Sequence, residues 1–136
     1  MSGAEHTHFT AHLGLVEALE LRRALCARFG GDAEPLDLGL LEAALARPRS
    51  ASYRTLSEQA AALLHGLATQ RPFRGDNLRF AFALTVVFLR LNHHRVRVAP
   101  REALHFMREH VCARGADVPR IARALERVLA LDSPMG

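Results

Sequence analysis

The stretch Gln70-Arg71-Pro72-Phe73-Arg74-Gly75-Asp76-Asn77-Leu78-Arg79 lies between two helical patterns, and its reading decides the fold. Upstream, Thr55 to Thr69 repeats with helical periodicity. Downstream, Leu78 to Leu91 is almost continuously apolar, interrupted by Arg79, Thr85 and Arg90. Pro, Gly, Asp and Asn gathered in so short a segment stop one helix and start the next. Asn77, or Asp76 beside it, is placed to cap the new helix, whose first backbone N–H groups then face the loop. Arg71, Arg74 and Arg79 crowd the same place. Free amides at a helix N-terminus, joined by guanidinium groups, form a cradle for phosphate.

Working outward, the helix after the loop is apolar nearly all round and predicts a buried central element. On that reading an Asp at Val86 or Val87 enters a dry core and unfolds the protein. Before the loop, Thr55-Leu56-Ser57-Glu58 is a capping box, and Ala60, Ala61, Ala62, Gly66 and Ala68 let another helix approach closely. Nearer the N-terminus, Leu13, Val16, Leu19, Leu21, Leu25 and Cys26 recur at helical spacing, with Glu20, Arg22 and Arg23 on the other face. Gly30-Gly31 ends that helix. Asp37 caps a short second one, carrying Leu40, Leu41, Ala44 and Leu45 and ending before Pro48. Beyond the central helix, Arg95-Val96-Arg97-Val98 alternates like a short extended piece. Pro100 opens a fifth helix with Leu104, Phe106, Met107 and Val111. Asp117 caps a sixth, with Pro119 in its first turn and Ile121, Leu125, Val128 and Leu129 along it. The expectation is an all-α single domain over residues 1–136, about six helices around the buried central one, with residues 1–10 irregular.

Composition narrows the chemistry. The 136 residues are 49% hydrophobic with a net charge of +4, which excludes a disordered or fibrous chain. Every basic residue is arginine, so no lysine is available for Schiff-base or phosphate work. There is no apolar run long enough to span a membrane and no secretory signal pattern, so a cytoplasmic protein is expected. Cys26 and Cys112, far apart in sequence, read as buried unpaired thiols. Among the eight histidines, His8 with His12, His93 with His94, and His105 with Glu109 and His110 form no strong metal-ligand pattern, so no metal is expected from them. Arg95, Arg97, Arg101 and Arg108, like Arg120, Arg123 and Arg127, read as solvated helix faces. Aromatic interleaving is absent, so neither nucleic acid nor a membrane is the expected partner.

The loop also resembles a known signature. Arg71-Pro72-Phe73-Arg74-Gly75-Asp76-Asn77-Leu78-Arg79-Phe80 is similar, without a gap, to the His-Pro-Phe-x-Asp/Glu-Gly-Asn-Lys/Gly-Arg-Thr loop of the Fic/Doc family (death-on-curing toxins and protein AMP-transferases). Pro72, Phe73, Asn77 and Arg79 match. Arg71 stands at the family's His, Gly75-Asp76 exchanges its acid and Gly, and Leu78 and Phe80 replace polar residues. The flanks Arg28 to Gly31, Gly39 to Pro48, Ala60 to Ala68 and Val87 to His94 resemble Doc-type proteins too.

The resemblance implies a Fic/Doc-type helical bundle. For an active member it implies a nucleotide with magnesium as cofactor, a protein hydroxyl as acceptor, and an antitoxin as partner. Arg79, with Asn77 and Arg74, is implied as the phosphate-binding set, and Pro72, Phe73 and Gly75 as loop-shaping residues. Arg71 occupies the place of the general base but stays protonated at any ordinary pH. Asp76 is the shifted candidate for holding magnesium, and its side chain tolerates the left-handed backbone at which the family uses Gly. His65, on the preceding helix, is the candidate replacement base. The expected function is a diverged Doc-like protein with a degenerate loop. It would bind a phosphate-containing ligand or a protein partner without family-type transfer. The alternatives are a working toxin-type transferase and a nucleic-acid- or partner-binding helical module.

Overall fold

Six helices and a two-stranded ribbon make up residues 9–132, which the computed structural model describes. In order they are α1 (Leu15–Phe29), α2 (Leu38–Ala46), α3 (Leu56–Gln70), α4 (Asn77–Leu91), β1 (His94–Val96), α5 (Ala103–Phe106), α6 (Val118–Val128) and β2 (Leu129–Leu131). A 3-10 turn at Pro100–Glu102 leads into α5, which runs on as a π-helical stretch, Met107–Val111. The all-α expectation therefore holds. The pairing of His8 with His12 and most of the irregular N-terminal stretch lie outside the described residues.

The helix starts follow local chemistry. Asp37 accepts from Leu40 N at 3.1 Å and Asp117 from Arg120 N at 3.0 Å. Thr55 and Glu58 form the reciprocal capping box, with Glu58 N donating to Thr55 Oγ1 at 3.1 Å and Thr55 N to Glu58 Oε1 at 3.0 Å. The α3–α4 hinge is different. Asp76 is the N-cap of α4 at φ 55°, ψ 32°, with no side-chain cap bond, and Asn77 is already helical.

Packing places the centre elsewhere than expected. It is α3, not α4, that touches α2, α4 and α6, and it buries Ala60, Ala61, Ala62, Leu63, Leu64, Gly66 and Leu67. Its small side chains allow this crowding; Gly66 leaves room for Arg47, whose Cδ would lie 3.2 Å from an added Cβ. Helix α4 buries Phe80, Ala81, Leu84, Thr85, Phe88 and Leu89 on one side, and Phe82 on another. Val86 is half-buried and Val87 is exposed, so the dry core expected around both does not exist.

Three further readings change. Leu129 does not extend α6: it opens β2, which pairs antiparallel with β1, His94 opposite Leu131 and Val96 opposite Leu129. Of the alternating segment Arg95 to Val98, Arg95 and Val96 therefore lie in a strand and Arg97 and Val98 do not, and the partner strand had no alternation to reveal it. Arg22 faces inward, wholly buried, rather than on the polar side of α1. Cys26 is half-buried and Cys112 exposed, both free thiols, because their helices end near the surface. At the other edge, residues just before α1 are tied to the far end of α4. Ala11 N donates to Asn92 Oδ1 at 2.8 Å and Asn92 Nδ2 to Ala11 O at 2.9 Å.

Candidate anion-binding site

The loop between α3 and α4 is built around two side chains. Asn77, 6% exposed, does not cap its helix. It bridges the loop instead, with Phe73 N donating to its Oδ1 at 3.0 Å and its Nδ2 donating to Phe73 O at 2.9 Å. Both backbone groups of Phe73 are thus satisfied in a buried place, where leaving them unpaired would be costly.

Arg22 does the same from outside. Its Nε and Nη2 donate to Asp32 O at 3.0 and 2.8 Å, and Nη2 also donates to Gly75 O at 2.8 Å. Its Nη1 reaches Asp76 O at 3.4 Å, and the guanidinium lies 4.3 Å from the centroid of the Phe73 ring. A planar fork that serves three carbonyls and one aromatic face accounts for a buried arginine with no carboxylate partner. Sequence reading missed Arg22, because nothing local distinguishes it from the exposed Arg23.

The connection between α1 and α2 braces the loop from a second side. Leu36 N donates to Pro72 O at 2.8 Å, and Pro35 forms an antiparallel bridge with Phe73. Phe73 packs edge-on against Phe80 with centroids 4.9 Å apart. Pro72 and Phe73 are buried and Gly75 is exposed with open space around it, so the first two shape the loop by packing and the third by its carbonyl.

Held this way, the loop opens onto a cavity of about 370 Å³ lined by Arg71, Asp76, Asn77, Arg79, Arg108 and Cys112, with Ala68, Leu78 and Leu104 as its apolar part. Arg71 caps α3 in the left-handed region at φ 50°, which turns the chain away from the helix. The first α4 bond runs from Phe80 N to Asp76 O at 3.0 Å, so the amides of Asn77, Leu78 and Arg79 precede the helical ladder. Arg79 lies across the Phe29 ring, 4.3 Å from its centroid. Among the described residues, none of Arg71, Arg79 and Arg108 has an ion-pair partner. Arg108, near the start of the π-helical stretch, and Cys112, just past its end, owe this placement to nothing in the local sequence.

Two candidates stand apart from this cavity. Arg74 is exposed and pairs with Asp32 at 3.8 Å. His65 is not among the residues that line the cavity with Arg71: its Nδ1 lies 3.0 Å from Arg47 Nη1. Burial lowers the His65 pKa, the Arg47 charge lowers it further, and Asp117 opposes them. His105 and His110 both approach Glu109, at 3.7 and 3.2 Å, on the surface. Among the described residues, Asp76 is the one carboxylate on the cavity wall, which it shares with Arg71, Arg79 and Arg108. Such a donor set repels a divalent cation rather than holding one, so magnesium does not fit these residues.

The fold and loop define a class. A profile of the Fic/DOC family matches residues 12–89, more than half of the chain, and the chain belongs to that family. Toxin Doc of Mycolicibacterium smegmatis (strain ATCC 700084 / mc(2)155) is similar to it, 41% identical over 69 residues, which are 47% of this chain and 53% of that protein. The chain spans about half the length of the curated relative it matches. No described helix is long and apolar enough to cross a membrane.

Proposed function

We propose that this Fic/Doc protein holds a phosphate-bearing ligand in the arginine-lined cavity and does not carry out the family's transfer step. The supporting observation is the cavity wall itself. Among the described residues, three arginines without carboxylate partners and the first residues of α4 line it, and no histidine does. A general base must be neutral near pH 7 and within reach of the acceptor hydroxyl. Arg71 fails the first requirement, and His65 at Arg47 fails the second. Charge-assisted contacts contribute roughly 1.5–3 kcal/mol each, so two or three of them, less ordering costs, support micromolar to millimolar affinity.

The second reading is a toxin-type transferase with an antitoxin partner. It is favoured by the similarity to Toxin Doc and by the matching Asn77 and Arg79. One pair of experiments separates the two. Phosphate or a nucleotide at low ionic strength should raise the melting temperature, and Arg79→Ala should abolish the shift. Incubation with ATP or CDP-choline, magnesium and candidate acceptor proteins should transfer nothing. Robust modification that disappears in Arg79→Ala overturns the first reading in favour of the second. A flat titration removes the anion site altogether.

A further inference from the structure

A second cavity, about 540 Å³, runs between α1, α4 and the segment from β1 to α5. Its surface is apolar: Leu25, Phe82, Ala83, Val86 and Val98 face it, and of all its lining side chains only Arg79 and Arg101 carry polar atoms. Phe29 and Val87, 52% and 40% exposed, leave its rim open to water. This groove is not separate from the arginine cavity. Arg79 and Leu104 line both, so apolar space begins where the three guanidinium groups end.

A ligand that lies across both must be anionic at one end and apolar along the rest. An extended peptide would bring amide groups into a groove with almost no hydrogen-bond partners, whereas a hydrocarbon chain brings none. The charge pattern fits the same occupant, because Arg79, a permanent cation, stands at the junction and, among the described residues, no carboxylate lines the groove. We propose that the two cavities form one site for a single-chain amphiphile with a phosphate head. The head lies against Arg71, Arg79 and Arg108, and the chain lies in the groove over Ala83 and Val86. This rests on the anion reading of the loop cavity and names the kind of phosphate compound that it takes.

The test is calorimetric titration of the whole protein with methyl phosphate, dodecyl phosphate below its micelle-forming concentration, and dodecanol. Burying the chain should make dodecyl phosphate bind on the order of a hundredfold tighter than methyl phosphate. Val87→Asp should weaken dodecyl phosphate at least about tenfold more than methyl phosphate, since it sets a carboxylate beside the chain. Arg108→Gln should weaken both esters. If methyl phosphate binds and dodecyl phosphate binds no tighter, the amphiphile proposal falls and the anion reading stands. If neither ester binds, both fall. If dodecanol binds as tightly as dodecyl phosphate, the groove works alone as an apolar docking surface and the linked site is overturned.

Discussion

At the scale of single residues, the loop depends on groups that its own segment does not contain. Arg22, fifty-three residues from Gly75, supplies the fork that satisfies the Asp32, Gly75 and Asp76 carbonyls. Its loss leaves those part-buried carbonyls without this donor and uncovers the face of Phe73. Arg22→Leu is therefore expected to cost about 2–4 kcal/mol and to abolish any phosphate-dependent rise in melting temperature. Arg22→Lys should recover only part of the stability, because an ammonium cannot divide itself among carbonyls that the planar fork reaches together. Urea unfolding measures both variants. An unchanged midpoint in Arg22→Leu would show that the fork is not what holds the loop. Positive φ values mark the same region: Arg71 at 50° and Asp76 at 55° bracket the turn, in the backbone region where side chains other than Gly, Asn and Asp are uncommon.

At the scale of elements, α4 has two faces that its composition does not distinguish. Leu84 is wholly buried, whereas Val87 opens onto the groove at 40% exposure. An Asp at position 84 would bury a carboxylate without a partner and should unfold the protein. An Asp at position 87 meets water and should change stability by no more than about 0.5 kcal/mol. Circular dichroism melts of Leu84→Asp and Val87→Asp decide the point. Equal collapse in both would mean that α4 is buried all round. The groove on the open face lies between α1, α4 and the segment from β1 to α5, with Val86 and Val87 among its lining residues.

At the scale of the whole molecule, two histidines link stability to pH. His12 stacks on Phe88 with its Nδ1 buried and, among the described residues, without a hydrogen-bond partner, and its pKa is lowered by burial first and by Arg49 second. His65 is lowered by burial, then by Arg47, against the opposing Asp117. A lowered pKa in the folded state means that the unfolded chain takes up the proton first. Their contribution is thus fully present above the ordinary histidine value of about 6.5 and declines as pH falls below it. The melting temperature should drop between about pH 7.5 and 5.5, before the carboxylates titrate. The drop should be smaller in a His12→Gln, His65→Gln double variant. A melting temperature that stays flat, or rises, over that interval contradicts the linkage.

The amino-acid sequence by itself determined the helices, their caps and the loop frame. Asp37, Thr55 with Glu58, and Asp117 act within three residues of themselves, so their effects are visible without a fold. The same holds for the Pro-Phe, Asn and Arg positions of the loop that carry the family resemblance. Tertiary structure alone decided which residues the loop meets. It buried Arg22 but left Arg23 outside, brought Arg108 and Cys112 to the cavity, and turned His65 toward Arg47. It also made α3 the hub and gave Leu129 to a strand whose partner lies more than thirty residues earlier. The physical reason is range. A cap or a turn is settled by neighbours along the chain, whereas the burial of a charge is settled by carbonyls and rings that only folding assembles around it.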